Sequence, residues 1–546
     1  MSSEPTGGSR NPLLIEELFC AVLRCLVDTT PEPTLCPIDG PHRVGTYGIQ
    51  IRAPDPDTRR ALATLARTCR AFTRPALDFL WCRLNSLDPL LWCYLSRETI
   101  HVTMQPLRPP SPVDWDVIRR YACRIQYLEV QDCLSSFFLG CAMFETNLFP
   151  KLKVLKWNTQ PHINFNFIDT KLVHPLLGSN LVVLDITTHG DDTTFPSLLK
   201  ALPSRCPAVT TAKFSIWRTW DLALLDSFSQ ALRSFKNLKS LVLDASVDDR
   251  VLQHVLMFPQ LQEICLAFQP RQLPNFSPSP SEIPLRNTRK LVLALSDLCQ
   301  LIQLLRPGHQ SFCGILLRLL RIEFPAPIGS LFIGLATQSQ KSTLNLLHIH
   351  HTRPHLDLQD PALLSSLTLS FNTFQPLTCH IHLRELIILL PNPISLSDGE
   401  LTDLARHWPL LQILDLSYFF RLPEGGKHMT FKGLLSLVSI CPALYHVGLT
   451  LDGREVPNEV VDGSGSKTIT MLRFPHSPIN NQARLVATFL LTHFPSVTSV
   501  TGSLGTNLDR HGREWARVEA YILDPSKLGM HGRRVDNGGN VSHGLV

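Results

Sequence analysis

The feature that most constrains this chain is a six-residue pattern, apolar-x-x-apolar-x-apolar, that recurs along most of its length. It stands at Ile125/Leu128/Val130, Leu152/Leu155/Trp157, Leu181/Leu184/Ile186, Leu238/Leu241/Leu243 and Leu261/Ile264/Leu266. It returns at Leu317/Leu320/Ile322, Leu344/Leu347/Ile349, Leu364/Leu367/Leu369, Leu383/Leu386/Ile388, Leu411/Leu414/Leu416 and Leu444/Val447/Leu449, with weaker copies starting at Val209, Thr288, Ile469 and Val497. Ten of the fourteen intervals between successive starts are 25 to 29 residues long. A chain of 546 residues exceeds what one hydrophobic core organises, and this spacing favours an array of repeats over separate domains.

A second, independent marker accompanies the pattern. Phe149-Pro150, Cys206-Pro207, Phe258-Pro259, Trp408-Pro409, Cys441-Pro442 and Phe494-Pro495 each precede a copy by the same offset, and Phe235-Lys236-Asn237 is a proline-free variant. Proline cannot continue a helix and forces its predecessor towards extended geometry, so the pair marks a helix end just before a strand. The segments ahead read as helices. In 222–235, Leu224, Leu225, Phe228, Leu232 and Phe235 share one face. Ser397 and Glu400 form a capping box ahead of Leu401, Leu404 and Trp408, and 431–440 and 483–494 follow the same scheme.

Each unit is therefore strand, loop, helix, proline stop. The expected fold class is α/β: a short N-terminal three-helix module followed by a right-handed β/α solenoid with the unit length of leucine-rich repeats. A doubly wound α/β domain is the alternative, and continuous apolar runs such as 386–390 suit it. In the solenoid, period-2 alternation turns Leu414 and Leu416 inwards. The residues between them, with Lys153, Lys156, Asp185, Lys239, Glu263, Glu385 and Asp415 at comparable places, then face outwards as a mixed-charge binding surface.

Composition narrows the function classes. Hydrophobic residues make up 44% of the chain and the mean hydropathy is +0.06, enough to bury a core. Charged residues are 18% and the net charge is +5, with basic residues scattered, so neither a nucleic-acid nor a membrane partner is expected. No apolar run approaches a bilayer span. The start of the chain carries no secretory signal, and the 15 cysteines form no C-x-x-C pair, which together suit the cytoplasm or nucleus.

No phosphate-loop, dinucleotide, zincin or nucleophile-elbow motif is present, so no catalytic residues are expected. The segment 463–468, Gly-Ser-Gly-Ser-Lys-Thr, lacks the glycine before lysine and reads as a flexible loop. The histidines His348, His350, His351, His355, His380 and His382 have no acidic or cysteine partner at ligand spacing, so they read as solvated polar positions and no metal or cofactor is expected.

Ahead of the repeats lies a different pattern. Leu14, Leu18, Val22, Leu23 and Leu26 fall on one face of a first helix, Leu62, Leu65, Ala66, Cys69 and Phe72 on one stripe of 58–72, and a third helix covers 76–84. So small a unit suggests docking on a partner. Residues 14–18 with Val22, Leu23 and Leu26, then 65–72, then 75–81, resemble an F-box. The closest likeness is to the F-box proteins with degenerate leucine-rich repeats of mushroom-forming fungi, whose continuation resembles the stretch from Asp114-Trp115 to Tyr121-Ala122.

The resemblance implies a non-catalytic substrate receptor of an SCF-type ubiquitin ligase. Its docking residues on the Skp-type adaptor are then Leu14, Ile15, Leu18, Val22, Leu62 and Cys69, with Trp81 closing the module and the repeats holding a target protein. A repeat scaffold without ligase association is the alternative. Ile15 stands where the family usually has proline, and 28–57 is an insertion. The expected organisation is a disordered 1–10, the module at 11–84, connecting helices at 85–122, the solenoid at 123–505 and a mostly flexible tail at 506–546.

Overall fold

The computed structural model describes residues 16–27, 34–37, 47–50, 55–94, 109–130, 139–142, 148–158, 170–189, 194–217, 222–245, 255, 258, 260–267, 288–295, 314–319, 328–338, 344–351, 368–418, 427–457, 465–502 and 510–528. They form two compact units, 1–288 and 289–546, so the chain divides within the expected repeat array and not behind the helical module.

The first unit begins with helix α1 (Glu16–Val27), an antiparallel pair β1 (Thr34–Pro37) and β2 (Tyr47–Gln50), and helices α2 (Pro56–Thr68) and α3 (Arg70–Trp81). The helix expected at 58–72 thus breaks at Cys69, whose extended backbone separates α2 from α3. The third helix also ends sooner than 84, because β3 (Arg83–Leu84) already pairs with the sheet. After helices α4 (Asp88–Leu91) and α5 (Pro112–Ala122) come β4 (Tyr127–Val130), β5 (Val154–Asn158), β6 (Val183–His189), β7 (Thr211–Trp217), β8 (Ser240–Ala245) and β9 (Glu263–Ala267). All pair in parallel and in chain order. Helices Phe195–Arg205 and Leu222–Ser234 pack side by side, hence on one face of this sheet.

The second unit repeats the scheme with β10 (Lys290–Leu295), β11 (Gly314–Leu319) and β12 (Leu346–His351), then a short β13 (Leu369–Ser370) that pairs with β15 (Ile394–Ser395). β14 (Glu385–Leu389) pairs with β12 directly, followed by β16 (Ile413–Leu416), β18 (His446–Leu449), β20 (Met471–Arg473) and β21 (Ser499–Thr501). β17 (Met429–Thr430) and β19 (Leu451–Asp452) form a side pair. Both sheets are compatible with a solenoid-like repeat.

The register explains why the sequence pattern works. Its second apolar position lies level in every neighbouring strand: Leu84, Leu128, Leu155, Leu184, Ala212, Leu241 and Ile264 in the first unit. In the second, the level positions are Leu291, Ile315, Leu347, Leu386, Leu414, Val447, Leu472 and Val500. Two sequence matches fail this rule. Ile315, and not Leu320, stands beside Leu347, so the copy started at Leu317 is out of phase by five residues. The copy at Leu364 adds no strand between β12 and β14. A leucine-rich chain offers such frames by chance, and the hydrogen-bonded ladder selects among them.

The residue before each proline acts as a plug. Its own N–H closes the last helical turn, as Cys206 does on Leu202, Cys441 on Leu437 and Phe494 on Leu490. Its carbonyl then accepts the N–H of the motif's first apolar residue: Leu152 on Phe149, Leu411 on Trp408 and Leu444 on Cys441, each at 3.1 Å. The position between them needs no N–H, which is why proline fits there. Burial pushes the Cys206 and Cys441 thiols up to about 11, consistent with inert core fillers.

His380 occupies the same place ahead of Leu383, with the same 3.1 Å bond from Leu383 N. It is 2% exposed and neither ring nitrogen has a hydrogen-bond partner. Burial pushes its pKa down to about 4, so the folded chain holds it neutral. Because the unfolded imidazole keeps its ordinary pKa, this contribution is complete above about pH 6.5 and is lost as the pH falls towards about 4, a loss of about 3 kcal/mol. Urea unfolding of the wild type and His380→Phe over that window checks it: the variant is expected to lose distinctly less stability. Equal slopes would mean that His380 does not titrate with unfolding.

Candidate functional site

The helical module presents two unlike sides of α1. Phe19 and Leu23 turn inwards and close a small core with Leu62, against which Leu65, Phe72, Phe79 and Leu80 pack. Phe19 stacks on Phe72 with ring centroids 4.3 Å apart. On the other side Leu18 is 49% and Val22 46% exposed, and Ala21 and Cys25 are exposed beside them. Spacings of three and four residues place these four on one stripe. The expected stripe through Leu18, Val22 and Leu23 is therefore split: Leu23 belongs to the inner side, which Phe19 anchors.

The six expected docking residues are not brought together. Leu18 and Val22 share the outer stripe, whereas Leu62 is 1% exposed and sits in the module core. Cys69 is half-buried at the break between helices, where its carbonyl accepts the Phe72 and Thr73 N–H groups and the Thr73 hydroxyl. Leu14 and Ile15 lie outside the described residues, as does most of the insertion 28–57 apart from β1 and β2. Trp81 stacks on Tyr121 of α5 at 4.4 Å, and Arg124 pairs with Asp78 of α3, so the module is joined directly to the first repeat. A capping box between Ser111 and Asp114 starts α5.

The sheet face away from the helices is the second candidate. It is closed where an open mixed-charge surface was expected. In the first unit Glu129, Lys156, Asp185 and Lys213 stand level on β4 to β7. Lys156 Nζ reaches Glu129 Oε1 at 2.5 Å, the Tyr127 hydroxyl donates to Glu129 Oε2 at 3.0 Å, and Lys213 Nζ lies 3.7 Å from Asp185. Burial pushes the Asp185 carboxyl up, opposed by Lys213 and Lys156. Ser240 Oγ donates to Glu263 at 3.1 Å, while Lys153 and Lys239 stay exposed ahead of their strands.

In the second unit His348 Nε2 lies 2.9 Å from Glu385 Oε2, and Asp415 joins Arg473 and His446. Asp415 is 2% exposed and also accepts the Ser417 N–H at 3.1 Å. Burial alone would raise its pKa, but the Arg473 guanidinium, then His446 and Ser417, hold it well below the usual carboxylate range. Asp415 stands level with Gly448, and Gly448 with Arg473. A Cβ at 448 would overlap the Asp415 carboxylate, so glycine is what lets the carboxylate cross a strand to reach Arg473. With neighbouring strands at about 4.8 Å in register, charges on this face find each other before they meet solvent.

Among the described residues no group of three His, Cys, Asp or Glu side chains is arranged to hold a metal ion. His350 and His351 are buried where solvated positions were expected, His382 is exposed, and His355 lies outside the described residues. Of 463–468, residues 465–468 are described and are pinned to the protein: Ser466 N donates to His493 O at 2.8 Å and Thr468 Oγ1 to Leu444 O at 2.7 Å. No helix among the described residues is long and apolar enough to cross a membrane.

The expected flexible tail at 506–546 contains a helix, Arg510–Leu523, followed by a 3₁₀ turn, Pro525–Leu528. Trp515, Val518, Ile522 and Leu528 are buried, so this part of the tail belongs to the second unit's core.

No protein-family model matches the chain, and no curated protein matches it. Among solved structures, the chain is similar to one in the crystal structure of the Rad7 and Elc1 complex in yeast, with a TM-score of 0.37 and 15% sequence identity over 63% of this chain and 82% of that one.

Proposed function

We propose that this chain is the substrate-recognition subunit of an SCF-type ubiquitin ligase, a non-catalytic receptor of the cytoplasm or nucleus. Its helical module docks the Skp-type adaptor and its repeats hold the target protein. The observation that carries the reading is the outer stripe of α1. Leu18 and Val22 are about half exposed on a helix whose other side is already closed by Phe19 and Leu23. An apolar stripe beside a finished core is suited to a partner's apolar groove. The resemblance of 14–18, 65–72 and 75–81 to an F-box names that partner. Leu18 and Val22 make the contact, and Leu62 supports it from beneath.

Retention of a purified Skp-type adaptor on the immobilised full-length chain tests this. Wild type is expected to retain it, and Leu18→Asp to weaken retention by about a hundredfold, because a carboxylate is forced into an apolar contact. The melting temperature should stay unchanged, since Leu18 is exposed. Leu62→Ala behaves differently, losing about 2–5 kcal/mol of stability as a core truncation. A wild type that retains no adaptor sinks the reading and leaves a repeat scaffold without ligase association.

A further inference from the structure

Basic residues that are scattered in sequence meet at the joint between α3 and α5. Arg70, Arg74 and Asp78 follow each other at four-residue spacing and form one stripe of α3. Arg124, which follows α5, pairs with Asp78 and donates from Nη1 to Arg74 O at 3.4 Å. Its Nε donates to Arg120 O at 3.2 Å, so it lies against the turn that carries Arg120. Arg70, Arg74 and Arg120 are exposed. The Trp81–Tyr121 stack clamps α3 to α5 and keeps the two basic elements side by side.

Elsewhere on the surface an exposed arginine is answered by an aspartate one turn away: Arg60 by Asp57 at 2.8 Å, Arg119 by Asp116 at 3.2 Å and Arg406 by Asp403 at 2.8 Å. The joint lacks this arrangement. Asp78, one turn from Arg74, is taken by Arg124, and Asp116, one turn from Arg120, is taken by Arg119. Arg70 has no acid three or four residues away on either side. Among the described residues Arg70, Arg74 and Arg120 form no ion pair. Arg70 is also the first residue of α3, where a cation opposes the helix dipole and no acidic side chain in the first turn offsets it. Like charges held close without counter-charges disfavour the folded chain by themselves, and such a local cost is expected where a partner offsets it.

We propose that this arginine cluster is a docking surface for a carboxylate-rich segment of a partner protein. Charge complementarity selects that partner: a guanidinium fork takes a carboxylate through two parallel hydrogen bonds, and the forks of Arg70, Arg74 and Arg120 lack one. A nucleic acid fits less well, because Asp78 stands within the stripe and a phosphate backbone calls for a longer basic track. The surface is separate from the outer stripe of α1. Phe72 lies two residues from both Arg70 and Arg74, hence on the other side of α3, and that is the side on which α1 packs through Phe19. The inference therefore does not depend on the adaptor.

Fluorescence anisotropy of a labelled octaglutamate peptide, titrated with the full-length chain, tests this. At low ionic strength wild type is expected to bind the peptide and to release it as added salt screens exposed charges. Arg70→Gln/Arg74→Gln should lower the affinity by about tenfold, the sum of two exposed ion pairs, and should melt no lower than wild type because both side chains are exposed. Arg406→Gln/Arg454→Gln removes the same charge from arginines that already have aspartate partners in the second unit, and should bind like wild type. A wild type that does not bind the peptide overturns the proposal. So does an equal loss in Arg406→Gln/Arg454→Gln, which would trace the binding to overall charge. Tighter binding of a single-stranded DNA of equal length overturns it in favour of a nucleic acid.

Discussion

Asp415→Ala is expected to destabilise the second unit by about 3–5 kcal/mol, the cost of stripping one partner from a buried ion pair. Arg473 and His446 are both buried against Asp415, and removal of the carboxylate takes a close ion-pair partner from a desolvated guanidinium. Gly448→Ala should approach the same loss by a different route. The added methyl occupies the space through which the carboxylate passes, so Asp415 must abandon Arg473 or the strands must part. Denaturant unfolding at neutral pH reads both. The double change Asp415→Leu/Arg473→Met should recover much of the loss, because an apolar pair of similar volume removes the uncompensated charge. A loss below about 1 kcal/mol in Asp415→Ala would mean that water reaches Arg473 readily. Because the unfolded carboxylate keeps its ordinary pKa, the Asp415 contribution starts to fall as the pH enters the ordinary carboxylate range and goes on falling below it, so its loss follows that of His380 on the acid side.

Trp408→Ala is expected to cost about 3–5 kcal/mol, as a large aromatic removed from a closed core leaves a cavity that neighbours fill only in part. Trp408 is 1% exposed, and its indole N–H donates to Leu377 O at 3.1 Å, tying its repeat to the preceding one. The plug position does more than fill space. The Trp408 carbonyl receives the Leu411 N–H, and the Cys441 thiol of the next repeat lies 3.5 Å from the same oxygen. Trp408→Phe keeps most of the volume and loses the indole bond, so about 1–2 kcal/mol is expected. Thermal unfolding of the two variants separates volume from hydrogen bonding. Equal losses would show that the hydrogen bond outweighs the packing.

Much of the repeat was legible before any coordinates. The plug-proline pairs, the capping box at Ser397 and helices 222–234, 431–440 and 483–493 follow from spacing alone. The misses have particular causes. Around β11 the run Leu316, Leu317, Leu319, Leu320 satisfies the pattern in more than one frame, and only pairing with β12 chooses between them. His380 escaped the plug series because no proline follows it and because histidine reads as polar until its burial is known. The helix at 510–523 falls in the stretch expected as a mostly flexible tail, although Trp515, Val518 and Ile522 sit at helical spacing.

The candidate sites were less legible than the fold. Leu18 and Val22 lie on one exposed stripe, but α1 is apolar on two sides, and which side is buried depends on where α2 and α3 pack. The link from Asp415 over Gly448 to Arg473 joins three repeats through residues that have no local relation in sequence.

Periodicity is a local property, written into each strand by the alternation of side chains and into each helix by its 3.6-residue turn. From it the succession of strands and helices, and the level alignment of their apolar positions, could be read directly. Which charge meets which, whether an imidazole is solvated or sealed, and which side of α1 stays free were decided only when the repeats stacked. Those outcomes depend on register and burial, which no single repeat possesses alone.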